Sequence, residues 1–211
     1  MNSSKFLLGA FAVGSVVFTA GCATIGGQAR LFPTAEEAVK TSFVNMPDHM
    51  KGYIVQDESQ VLCSAARDKP SRELQARVEG LNKALNVQYP SNGKLVGDWQ
   101  RGEKIAQSGY GMRKGDSVSR QPTGGNCYAC HQLKPQELSY GTLGPSLLNY
   151  GKLRGNSDAV VKYTYDKIYN TQQFVGCSNM PRFGHNKILT PEQIADVVAL
   201  LLDPASPVNK P

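Results

Sequence analysis

Apolar positions recur at helical spacing in four stretches, and no stretch alternates as a strand requires. From about Lys69, Leu74, Val78, Leu81 and Leu85 fall on one face, and Tyr89-Pro90-Ser91-Asn92-Gly93 closes the run as a turn. Asp98 is placed to cap a helix through Trp99, Gly102, Ile105 and Ala106, which Gly109 stops. Glycine inside a helix costs about 1 kcal/mol relative to alanine, so Gly102 implies a second helix crossing closely there. Ser157 opens another helix, with Val160, Val161, Tyr165 and Ile168 as its buried positions. Thr190-Pro191-Glu192-Gln193 is an N-terminal helix signature, with a capping threonine, proline at the first position and glutamine at the third. The run from Ile194 to Leu202 then predicts a buried terminal helix ending before Pro204. A short helix is also expected after Thr34, with Glu36 and Glu37 in its first turn, whereas residues 46–68 show no clear period. The expected fold class is all-α.

The longest apolar run lies at the start and has a different meaning. Phe6 to Phe18 is too short to span a bilayer, and Lys5 precedes it, so residues 1–21 read as an export signal. It ends in Thr19-Ala20-Gly21-Cys22, which resembles a bacterial lipobox with Cys22 as the lipidated residue, although leucine is more usual than threonine. Cleavage after Ala29 is the alternative. Either outcome places the mature chain in the periplasm, with or without a lipid anchor. Residues 22–33 then form a tether and 34–94 a helical extension. The extension is too small to fold dependably alone and is expected to pack on a domain spanning 95–211.

Composition narrows the class without naming a partner. The 211 residues are 40% hydrophobic and 19% charged, ordinary values for a globular chain. The formal charge of +6 fits an acidic docking partner, but it fits a solvated surface equally well. No basic and aromatic cluster suggests nucleic acid.

The chemistry concentrates in Cys127-Tyr128-Ala129-Cys130-His131. C-x-x-C-H is the attachment signal for c-type haem: two thiols reach the two vinyl groups, and the adjacent histidine lies under the iron. C-x-x-C also serves zinc half-sites and redox dithiols, but a zinc site needs a second ligand pair that the sequence lacks. One motif implies one covalent haem c. His131 then needs an acceptor for its second ring nitrogen. Gly144-Pro145 resembles the Gly-Pro that supplies this carbonyl in monohaem cytochromes c, although a turn proline would look the same. Met180, in Cys177-Ser178-Asn179-Met180-Pro181, is the leading sixth ligand. His185 in the same loop, Met46 and His49 are its competitors. Methionine raises the potential and histidine lowers it. If Cys22 carries lipid, Cys63 and Cys177 remain as a pair, either bridged in an oxidising compartment or buried as thiols.

Residues 95–209 resemble the SoxX family, the monohaem subunits of the SoxAX cytochrome complexes of bacterial thiosulfate oxidation. The resemblance rests on Leu143-Gly144-Pro145-Ser146-Leu147, on Tyr150 to Asn156, on Cys177 to Asn186, and on the tail from Ile188 through Asp203 to Val208. The extension is similar to that of longer members, and the lipobox departs from the usual soluble subunit. The resemblance implies a heterodimer with a SoxA-type cytochrome, which couples thiosulfate oxidatively to a cysteine of the SoxYZ carrier. This chain would accept the electrons and pass them to a small cytochrome c. It would supply no catalytic residue to the L-cysteine S-thiosulfotransferase reaction. A freely diffusing monohaem carrier and a stand-alone peroxidase-type haem enzyme are the rival readings.

Overall fold

Helix α7 (Pro191–Leu202) organises the core, because every residue from Ile194 to Leu202 is buried. Burying side chains of this size contributes about 1.5–3 kcal/mol each. The helix begins with the capping box expected from its sequence: Thr190 Oγ1 accepts from Gln193 N, and Gln193 Oε1 accepts from Thr190 N. Helix α4 (Trp99–Gln107), capped by Asp98, crosses α7 at Gly102. A Cβ at that position would lie 2.1 Å from the Asp196 carbonyl oxygen, so only glycine permits the approach. Asp196 itself is buried on the apolar helix and must be satisfied there. It accepts from Asp98 N at 2.8 Å and from Arg101 Nε and Nη2 at 2.8 and 2.7 Å.

The computed structural model describes residues 35–67, 69–113, 115–116 and 122–210. The export segment 1–21, Cys22, the tether to residue 33 and Thr34 lie outside the described residues. Those described residues are helical, with no strand among them, and the class is all-α. The remaining helices are α1 (Ala35–Ser42), α2 (Glu58–Ala66), α3 (Arg72–Lys83), α5 (Tyr150–Arg154) and α6 (Asp158–Tyr169). None is long and apolar enough to cross a membrane. The chain divides into two units, residues 1–44 and 45–211. In the first, α1 carries a Glu36–Lys40 ion pair at 2.7 Å.

The second unit holds helices that periodicity missed. Asp57 caps α2 through a capping box with Gln60, in a segment without a hydrophobic period. Helix α3 is capped by Ser71 and stops at Lys83, so Leu85 lies beyond it and is exposed. Its buried positions are Val78 and Asn82, a polar residue where a leucine line was expected. Helix α5 starts from Asn149 in the left-handed region and is held by Asn209. The buried Asn209 amide accepts from Gly151 N and donates to the Leu201 and Asp203 carbonyls. It thereby joins α5 to the end of α7. Helix α6 packs Tyr165 at the centre of the core, where its hydroxyl donates to the Gln88 carbonyl at 2.8 Å.

Candidate functional site

The C-x-x-C-H segment is a single 3-10 turn, Cys127–Ala129, hung from the end of α4. Gly125 N donates to the Ile105 carbonyl and Asn126 N to the Ser108 carbonyl, which aligns the turn with the helix it follows. Asn126 takes the left-handed conformation that starts the turn. Cys130 N and His131 N then both donate to the Cys127 carbonyl, at 3.1 and 2.9 Å. Both cysteines are free and half-buried, and Cys127 packs against the main apolar cluster. Burial pushes the Cys127 thiol up to about 12. A redox dithiol is usually poised by the opposite shift. Among the described residues no group of three His, Cys, Asp or Glu side chains could hold a metal ion.

His131 is oriented by the segment that follows. Its Nδ1 donates to the Pro145 carbonyl at 2.7 Å, which leaves the Nε2 lone pair available to a ligand. Gly144 lets the chain lie flat against the ring: a Cβ there would stand 2.1 Å from His131 Cε1. Gly144 N donates to the Cys130 carbonyl and Leu147 N to that of Gln132, so the returning segment follows the turn closely. Two thiols on one turn beside an oriented imidazole match what covalent haem c requires.

Met180 belongs to a different construction. It is half-buried, packs against the same apolar cluster as Cys127, and lies in the strap between α6 and α7. The strap is tied to the N-terminal helices. Cys177 forms a disulfide with Cys63 of α2, with Cα atoms 5.4 Å apart. Arg182 is buried, and its Nη2 donates to Asp57 Oδ2 at 2.5 Å while Nη1 donates to Asn82 Oδ1 at 3.2 Å. Asn82 also accepts from Asn170 Nδ2 and donates to Ser59 Oγ and the Val78 carbonyl. Burial works to raise the Asp57 carboxyl, but the Gln60 N–H and the Arg182 guanidinium outweigh it and hold the group low.

His185 faces the same extension. Its Nε2 lies 3.7 Å from Asp57 Oδ2, and burial, then the Arg182 charge, lowers its affinity for protons. Met46 is half-buried ahead of the 3-10 turn Asp48–Ile54, which contains His49. Sequence reasoning missed Asp57, Asn82 and Arg182. The only local signal was the Asp57-x-x-Gln60 capping pattern, which locates a helix start but says nothing of the guanidinium it receives.

The family description "Cytochrome c" matches residues 100–203, which contain both cysteines, His131, Pro145 and Met180. A protein of Aquifex aeolicus (strain VF5) described as an uncharacterized lipoprotein is 39% identical over 189 residues. The match covers 83% of this chain and 84% of that one.

Proposed function

We infer that this chain, which belongs to the cytochrome c family and carries covalent haem c for electron transfer, is the SoxX-type subunit of a thiosulfate-oxidising SoxAX complex. When bound, the haem supplies a one-electron iron couple. Cys127 and Cys130 would hold it by two thioethers, and His131 Nε2 would ligate its iron. Pro145 accepts from Nδ1, which fixes the imidazole plane and strengthens its donation. Met180 would supply the second protein ligand to that iron, leaving no open site for a substrate, which suits electron relay and not bond formation.

The observation that carries the electron-transfer reading is His131 hydrogen-bonded to Pro145, beside the turn whose Cys127 packs against the same apolar cluster as Met180. The SoxX reading is supported by Cys177 to Asn186, whose residues supply both the bridge cysteine and the buried Arg182. In this reading the SoxA-type partner performs thiosulfate coupling on the SoxYZ cysteine, and this chain hands the electrons to a small cytochrome c. The lipoprotein description of the Aquifex relative supports a lipid on Cys22 and a periplasmic location for the mature chain. A pull-down of the native complex tests the partner, combined with reduction of this haem by thiosulfate. A single haem-containing partner and thiosulfate-dependent reduction are expected. Isolation without a partner, with no reduction by thiosulfate, would leave a freely diffusing carrier.

A further inference from the structure

Methionine has three rotatable bonds and does not fix its own position. The Met180 N–H donates to Ser178 Oγ at 3.2 Å, and the rest of its placement comes from the residues on either side. Upstream, the Cys63–Cys177 bridge and the Gly176 N–H to Glu79 Oε1 hold one end of the strap. Downstream, Arg182 follows Met180 by two residues, and after it Gly184 N and His185 N both donate to the Tyr169 carbonyl. Only four residues, Ser178 to Pro181, separate Cys177 from Arg182, and Pro181 restricts their backbone further.

Arg182 is a costly choice for an anchor. Its side chain is only 3% exposed, while that of its partner Asp57 is 40% exposed. Desolvating such a charge offsets much of what the pair contributes, and an apolar residue of similar volume would often serve stability equally well. The guanidinium fork does something an apolar residue cannot. It reads Asp57 at the start of α2 and Asn82 inside α3 together, and so sets the strap's register against two helices.

We propose that Arg182 is a positioning residue for Met180, holding the methionine strap in register through Asp57 and Asn82 of the N-terminal extension. The proposal rests on the reading of Met180 as the axial ligand. The test uses the full-length, haem-loaded protein and its Arg182→Gln and Arg182→Lys variants. Three quantities are measured: the far-red charge-transfer band of the oxidised methionine-ligated form, the midpoint potential, and imidazole binding to the oxidised protein. Arg182→Gln is expected to weaken the band and bind imidazole at least tenfold more tightly. It should also shift the reduction equilibrium about tenfold toward the oxidised form, a fall of about 59 mV for one electron. Arg182→Lys, which keeps the charge but loses the fork, should fall between. An unchanged band, potential and imidazole affinity in Arg182→Gln overturns the proposal, even if its melting temperature drops. If Arg182→Gln does not accumulate, Asp57→Asn carries the test. The same shifts in smaller measure support the proposal, and their absence overturns it. Met180→Ala run alongside separates the two levels. Loss of its band, with the Arg182 variants unchanged, overturns the positioning role alone. An unaltered band and potential in Met180→Ala overturns the ligand reading, and this proposal with it.

Discussion

Around His131 the chain closes its hydrogen bonds mostly within Cys127 to Leu147, with Asn126 N and Lys134 reaching back to Ser108 and to Glu103 of α4. Gly141 N meets the Tyr128 carbonyl, Gly144 N that of Cys130, Leu147 N that of Gln132, and His131 the Pro145 carbonyl 14 residues on. The strap around Met180 is held instead from far away. Its contacts reach 97 residues from Gly176 to Glu79, 100 from Arg182 to Asn82, 114 across the disulfide and 125 from Arg182 to Asp57. The histidine side is therefore a property of one segment and the methionine side a property of the tertiary fold. Perturbations that fall on one side should leave the other readable.

The sharpest break comes from the local side. Cys127→Ala with Cys130→Ala should abolish covalent haem altogether, seen as loss of the haem mass increment, while the Cys63–Cys177 bridge persists in non-reducing peptide maps. Retention of covalent haem would show that the attachment site lies elsewhere.

Next in size is the disulfide. Replacing Cys63 and Cys177 by serine should cost about 2–4 kcal/mol in denaturant unfolding, since the bridge closes a loop of more than 100 residues. Covalent haem and histidine ligation should survive, and the methionine band should weaken. If both ligands are lost together, the two sides are not independent and the comparison fails.

Gly144→Ala acts on the histidine side alone. The new methyl group meets the His131 ring and must displace either the ring or the Pro145 carbonyl. Loss of such an outer partner typically weakens a metal site by about 10–100-fold. Added imidazole should then compete with His131, while the disulfide and unfolding cooperativity stay as they are.

The smallest effect is in pH dependence. The folded state binds a proton at His185 less readily than the unfolded chain does, so the associated stability is intact above about pH 6.5 and declines as pH falls below it. Asp57, held low when folded, adds a second decline below about pH 3.9. His185→Gln should flatten the first decline in urea midpoints and leave the second. An unchanged profile above pH 5 would assign that limb to another group.

This difference in range also explains what the sequence revealed. Asp98, Ser157 and Thr190 announce α4, α6 and α7 because a cap and its acceptor lie within one turn. Gly102 announced a close crossing, although not that Asp196 would be its counterpart. Helix α2 has a local cap but no apolar stripe, because its role is to present Asp57, Ser59 and Cys63 to partners distant in sequence. On α3, the leucine pattern masked Asn82, whose burial makes sense only once Ser59, Asn170 and Arg182 surround it. Cysteine arithmetic could point to residues 63 and 177, but nothing local could point to Arg182.

The burial of Cys127 bears on how well the disulfide lasts. Cys127 lies nearer to Cys63 in sequence than Cys177 does, yet it is left out of the bridge. Thiol exchange proceeds through the thiolate, and burial in the folded chain pushes the Cys127 thiol up, which makes it a poor attacking group toward the closed disulfide. The bridge that ties the methionine strap is thus guarded against reshuffling onto the attachment turn.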